Sequence, residues 1–446
     1  MSDHDLKKTL GPIMLWGLGV GYVISGMYFG WNLGLEQGGS LGLGIATAFI
    51  ILMYVCFTFC YTEMACAIPK AGGAFVYGNR ALGKYWGFLA GMAQNIEFVF
   101  APPAIAFAIA AYLNIYIPGE HTLLIAIITY CIFTLINIIG VELAAVFELI
   151  LTLLAVCELL LFTGLTLPHV ELANLAHNAL PHGISGIFAA IPFAIWFFLA
   201  IEGVANVAEE TVNPQRNIFI GFGAAILTLV ILCILVFTSA VGVNGWETAV
   251  YAADSSAAQD TPLVLVLSQV LGAHSPFVHL VVGIGIFGLV ASFHGILLAG
   301  GRATFEFGRV GYFPKAMSYI HPKFKTPVIA LMVNSIIGII ALLTGKTGSI
   351  ITLACFGAIT LYALSMASFI QLRKNEMDLV RHFKVKYGQL AAKIAFIIAM
   401  VSLIAMIFYN IEIALIFFII MAGSLFMFSK LDINNKSETK FPINQI

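Results

Sequence analysis

Twelve stretches of about 20 apolar residues, the length that crosses a hydrocarbon core, set what this chain can become. They cover roughly 12–35, 41–63, 86–113, 121–140, 143–166, 186–209, 218–242, 276–300, 327–344, 348–371, 389–409 and 411–428. In lipid a segment satisfies its own backbone N–H and C=O groups only as a helix or in a closed barrel, and runs this long predict helices. The composition agrees. Only 10% of the 446 residues are charged and 61% are hydrophobic, where soluble domains carry about 25% charge. The mean hydropathy is +0.99. No interval between the runs is long enough for a soluble domain. A formal net charge of -1 leaves no electrostatic footprint for nucleic acid, so none is expected as a partner; the lipid bilayer is.

The basic residues test the count, because Lys and Arg favour cytoplasmic loops. With the N-terminus inside, all but Lys346 of the 21 Lys and Arg fall on one side. Lys7 and Lys8 precede the first run, which is read as a retained span rather than a cleaved leader. The loop after the eighth run carries Arg302, Arg309, Lys315, Lys323 and Lys325. The outer loops 167–185 and 243–275 carry none. The seven cysteines form no Cys-x-x-Cys pair, and six of them lie in apolar runs; they read as packing residues, with no disulfide or metal site expected.

Two runs contain their own interruptions. The first reads Gly17-Leu-Gly-Val-Gly-Tyr-Val-Ile-Ser-Gly-Met-Tyr-Phe-Gly-Trp-Asn32, and glycine weakens a helix by roughly 0.5–1 kcal/mol relative to Ala. A helix that opens at mid-membrane frees polar groups that only protein, water or a ligand can satisfy. Gly26 and Gly30 also have the small-xxx-small spacing that lets another helix approach. The sixth run, Phe193 to Asn206, carries Glu202-Gly203 at mid-depth. Interrupted helices at matching places in two halves point to an inverted repeat with a midplane site.

These residues resemble the amino acid–polyamine–organocation permeases over nearly the whole chain. Ser25-Gly26-Met27-Tyr28 is similar to that family's broken-helix signature. Ile68-Pro-Lys-Ala-Gly-Gly-Ala-Phe-Val-Tyr77 is similar to its loop after span two, Trp196 with Glu202 to its span-six motif, and Gly308-Arg-Val-Gly-Tyr-Phe-Pro314 to its loop after span eight. Within the family, Leu15 to Asn32 and Gln94-Asn-Ile-Glu-Phe-Val-Phe-Ala-Pro-Pro103 look most like ethanolamine permeases. The resemblance implies an all-α integral membrane protein with twelve transmembrane helices, a LeuT-like five-plus-five inverted repeat with helices 1 and 6 broken, and alternating access around a central site. It divides the chain into a cytoplasmic N-terminus (1–11), a transport core (12–371, with repeats at about 12–166 and 186–371), two further helices (389–428) and a cytoplasmic tail (429–446), in the cell's inner (plasma) membrane. Two departures bear on the substrate. Ile24 stands where amino acid transporters of the family usually have a glycine near the substrate carboxylate. Ala155 stands near the place where many relatives carry a Lys.

Three acids lie well within spans, Glu97, Glu158 and Glu202, with no Lys or Arg at comparable depth. Even an insertion scale puts a mid-bilayer carboxylate at roughly +2.5–3.5 kcal/mol, so a proton, Na⁺ or an organic amine must offset them. The expected function is secondary import of ethanolamine or a similar small cationic amine. The expected substrate contacts are Ser25, Gly26, Tyr28, Glu97, Trp196, Phe197, Ala200 and Glu202, with Tyr28, Trp196 and Phe197 offering cation–π attraction and Trp196 a gate above the ligand. Glu158, Ser292 and His294 are candidates for coupling or gating; His294 also reads as a satisfied core histidine. Glu63 and Glu148 read as interfacial. No cofactor is expected, and H⁺ or Na⁺ remains open as the coupling ion. An amino acid permease or exchanger is the main alternative, and a transporter-like sensor a lesser one. The chain has no His-Glu-x-x-His or Gly-x-Ser-x-Gly that would mark an enzyme.

Overall fold

The computed structural model describes residues 8–435 except 71, 118, 120, 140–143 and 254. Lys7, Lys436, Lys440 and the outer parts of both expected cytoplasmic ends lie outside the described residues. Every named element is helical. The order is α1 (Pro12–Val23), α2 (Ser25–Tyr28), α3 (Trp31–Ala67), α4 (Ala74–Leu82), α5 (Lys84–Leu113), α6 (Thr122–Ile139), α7 (Ala144–Thr166), α8 (Leu172–Ala176), α9 (Gly183–Ala189), α10 (Ile191–Trp196), then a 3₁₀ helix (Ile201–Glu210) and α11 (Pro214–Asn244). They are followed by α12 (Glu247–Val250), α13 (Pro262–Leu271), α14 (Pro276–Arg309), α15 (Val328–Leu342), α16 (Thr347–Asn375), α17 (Gly388–Tyr409) and α18 (Ile411–Asn435). Among the described residues, ten helices are long and apolar enough to cross a membrane.

The apolar runs fall on these helices, with two differences in form. The first and second runs do not part at a loop. α3 carries the end of one and all of the other, and bends at Gly39, whose φ of 68° is open to glycine at little cost. The ninth run forms only α15, 15 residues long, short of the roughly 20 that a perpendicular crossing takes.

Burial sorts the helices into layers. The segment Ile191–Glu210 is buried over 100% of its most apolar window, and α5 and α16 over 83%, while α6 and Ile411–Lys430 of α18 reach only 22%. The exposed side chains of α6 (Leu124, Ile128, Ile132, Leu135) and α18 (Leu415, Phe418, Ile419, Phe426) are apolar. That is a surface lipid accepts and water does not. The buried helices, with α1, α3 and α14, make up the centre.

Polar contacts gather at the two ends of the bundle. On the face bearing the basic loops, Glu63 is buried and accepts from Arg373, from Arg381 and from the Val385 backbone N–H at 2.7 Å. The 376–388 segment folds over Glu63 and buries it in protein. Arg80 pairs with Glu376 at 2.7 Å and Arg302 with Glu210 at 3.1 Å. At the opposite end the segment around α12 lies over the start of α3. Asn32 donates to the Gln259 carbonyl at 2.8 Å, Tyr251 to Glu36 at 3.1 Å, and Thr347 to Asp260 at 3.0 Å.

Burial pushes the Asp260 carboxyl up to about 6, with the Thr347 hydroxyl pulling the other way. A carboxyl raised in the packed state stabilises that state in its protonated form. The contribution is whole below the ordinary value of 3.8 and is lost as pH rises through about 6. Hydrogen exchange of residues 251–261, corrected for intrinsic rates, is therefore expected to lose protection between pH 5 and pH 8, and Asp260→Asn to flatten that change. Equal protection of the wild type at both pH values would contradict it.

Candidate functional site

Both expected interruptions exist, and they touch. In the first, α1 ends at Val23, α2 closes a single turn, Phe29 is extended, and Gly30 takes φ 86°. Three of the carbonyls freed there are met by buried side-chain donors. Trp31 Nε1 donates to Met27 O at 3.1 Å, the Tyr112 hydroxyl to Tyr28 O at 3.1 Å, and Trp196 Nε1 to Phe29 O at 3.0 Å. Asn32 Oδ1 accepts from the Gly30 N–H at 3.0 Å. The membrane requirement that backbone polar groups find partners within the protein is met here by side chains.

In the sixth run the interruption is not at Glu202-Gly203. α10 stops at Trp196, residues 197–200 turn, and the helix resumes as 3₁₀ from Ile201. Glu202 sits in the first turn after the break. Ala200 holds φ 76°, a left-handed conformation that is uncommon outside glycine. Such strain persists only where the surroundings over-determine it, and here the Ala200 N–H donates to Glu97 Oε1 at 2.9 Å. The two breaks meet at Gly26, where an added Cβ would strike the Trp196 carbonyl and come within 3.0 Å of Phe197 Cα. Trp31 stacks on Phe197 with ring centroids 5.9 Å apart.

Glu97 on α5 and Glu202 converge on one phenol that sequence reasoning missed. The Tyr362 hydroxyl, from α16, lies 2.9 Å from Glu202 Oε2 and 3.4 Å from Glu97 Oε1, and Tyr54 from α3 donates to Tyr362 at 3.2 Å. Both acids are 0% exposed. The Glu97 and Glu202 carboxyls lie in hydrogen-bond contact with each other; Glu97 Oε2 and Glu202 Oε1 receive no donor from any other described residue, and no Lys or Arg there pairs with either acid. Two bare carboxylates side by side in a low-dielectric interior cannot stand uncompensated. A proton or a cation belongs with this pair.

The other expected residues separate into two further groups. Tyr28 donates to the Ala155 carbonyl at 3.1 Å and packs on Gly285 and Gly288, with Glu158 beside it against Gly285. Glu158 therefore joins Tyr28 rather than the Glu97–Glu202 pair. Ser25 and Ser292 share a hydrogen bond at 2.8 Å, and Ser292 donates to Tyr22 O at 2.6 Å. Trp196 holds the first break through its indole N–H. His294 is paired with Glu148 at 3.4 Å, both nearly fully buried. Glu148 is thus in the core, because α1 crosses over it at Gly21. A phenol within an otherwise apolar run was the available signal for Tyr362, since buried tyrosine hydroxyls usually find partners.

A bundle of membrane-length helices, with two central helices interrupted against one another and acids at the interruption, defines a multi-pass membrane permease. The chain belongs to the amino acid permease family, whose sequence profile matches residues 10–436. Among its relatives, the branched-chain amino acid permease of Bacillus subtilis is 26% identical over 86% of this chain and 84% of its own. The methylthioribose transporter of the same organism is 25% identical over 86% of both chains. Cationic amino acid transporter 1 of Arabidopsis thaliana is 28% identical over 53% of this chain and 43% of its own. The protein is accordingly a transporter and not an enzyme.

Tyr362→Phe removes the donor shared by the two acids. Hydrogen bonds to charged groups are worth about 1.5–3 kcal/mol, so the variant is expected to lose about that much stability when unfolded in detergent. Tyr54→Phe, which removes a bond between neutral groups, should cost about 0.5–1.5 kcal/mol. Equal losses in the two variants would contradict the bridging role.

Proposed function

We propose that this permease imports ethanolamine or a similar small cationic amine by alternating access, with the ammonium group held by Glu97 and Glu202. The observation that carries this reading is the buried acid pair at the sixth-run interruption, its two carboxyls against one another and, among the described residues, no Lys or Arg paired with either. An ammonium group supplies the charge and the donors that those carboxyls lack. In this reading the alcohol end exchanges with the bonds that Ser25 now makes to Ser292 and Ala200 to Glu97, and Tyr28, Trp196 and Phe197 rearrange to admit it. Twelve crossings with a five-plus-five repeat, cytoplasmic termini and a plasma-membrane location belong to the same proposal. Substrate sites of such transporters lie near the midplane at interrupted helices, which supports this placement.

The names of the relatives favour a second reading, an amino acid permease. The two make different demands. An amino acid brings a carboxylate that needs its own donors, and Ile24, fully buried beside the first break, crowds the place where the family resemblance puts them.

Competition separates the readings. Ethanolamine is expected to displace its own labelled form from purified protein at least tenfold more effectively than leucine or arginine. Glu97→Gln and Glu202→Gln should each weaken ethanolamine binding by about 10–100-fold, the equivalent of roughly 1.5–3 kcal/mol. Leucine or arginine competing as well as ethanolamine would transfer the protein to the amino acid reading.

A further inference from the structure

A buried acid paired with a buried histidine lies away from the Glu97–Glu202 pair. Glu148 on α7 and His294 on α14 are 1% and 2% exposed, with Nδ1 and Oε2 3.4 Å apart. The other carboxyl oxygen, Oε1, has no hydrogen-bond partner among the described residues. It is aimed at α1: a Cβ on Gly21 would lie 2.5 Å from it, and one on Gly295 3.0 Å. On either side of the pair, α1 is held by hydroxyls from the same two helices. Thr152 of α7 donates to Gly17 O at 3.1 Å, and Ser292 of α14 donates to Tyr22 O at 2.6 Å. Phe133 of α6 and Phe147 of α7 wall the imidazole at 6.2 and 5.9 Å. The other titratable or charged groups facing this region are Tyr22 of α1, Arg302 of α14 and Glu210 of the 3₁₀ helix, and the last two pair with each other.

We propose that the Glu148–His294 pair is the coupling-ion site of this transporter and that its ion is a proton. With one proton between them the two groups are net neutral, the only state a dry, low-dielectric site holds cheaply. In water near pH 7 a carboxylate is charged and an imidazole mostly neutral, so a wetted pair gives that proton up. α1 is half of an interrupted span and the lid over Glu148 Oε1. Its displacement admits water and releases H⁺ to that side; reclosure requires a proton from the water of the other side. The imidazole also argues against Na⁺, since hard cations take oxygen ligands. The inference rests on the transport reading but not on the identity of the solute.

The test uses proteoliposomes containing a pH dye, with labelled ethanolamine, leucine and arginine offered under an imposed pH gradient or an imposed Na⁺ gradient. In the wild type, proton entry is expected to accompany uptake, and a Na⁺ gradient to have no effect. Glu148→Gln and His294→Gln are each expected to lose proton entry at least tenfold while counterflow of the same solute, which needs no net proton movement, stays within about threefold. Uptake without proton entry, or an unchanged proton-to-solute ratio in both variants, overturns the proposal. If both variants fail to assemble, Glu148→Asp, which keeps the acid but widens the gap, must shift the pH of half-maximal proton-coupled uptake; an unshifted profile overturns it equally. Success with leucine or arginine and failure with ethanolamine overturns the substrate reading and leaves this test intact on the accepted solute.

Discussion

The hydrogen bond from the Ala200 N–H to Glu97 joins the two constraints that shape this protein. A helix opened inside a membrane must have its freed backbone groups met by protein, and a carboxyl there must be offset. One contact of 2.9 Å serves the first and sharpens the second, because it fixes Glu97 beside Glu202 without bringing a positive charge. Tyr362 bridges the two acids but, being neutral, adds donors and no cation. The centre is organised around two contacting acids that need a proton or a cation.

The rest of the structure keeps that arrangement in place. Trp31, Tyr112 and Trp196 close the freed carbonyls of the first interruption, and Gly26 allows the two breaks to touch. At one end Glu63 anchors the 376–388 segment through Arg373 and Arg381. At the other end Asn32 and Glu36 of α3 and Thr347 of α16 hold the segment after α12 through Gln259, Tyr251 and Asp260. The two sets differ in chemistry: charged pairs at one end, hydrogen bonds from Asn32, Tyr251 and Thr347 at the other.

Much of this was legible in the residues. Hydropathy found the helices because the bilayer imposes one length and one polarity on them all. The glycines of the first run announced its interruption. The sixth break was misplaced because its turning residue is Ala200, held left-handed by a partner far away in sequence rather than by a glycine of its own. Glu63 and Glu148 stand near span ends, and both are buried in protein. Their burial comes from the 376–388 segment and from α1, neither of which local sequence reveals. Tyr362 looked like one more aromatic in an apolar helix; its role depends on which acids the packing of α5 and α16 brings to it.

The central claim is that the Glu97–Glu202 pair awaits a cationic guest. It is tested most directly by an experimental structure of the protein with ethanolamine bound. The account places the ligand nitrogen within hydrogen-bond distance, about 3 Å, of Glu97 Oε2 and Glu202 Oε1. A bound nitrogen held elsewhere, with both carboxyls still engaged only by Tyr362 and the Ala200 N–H, would contradict it.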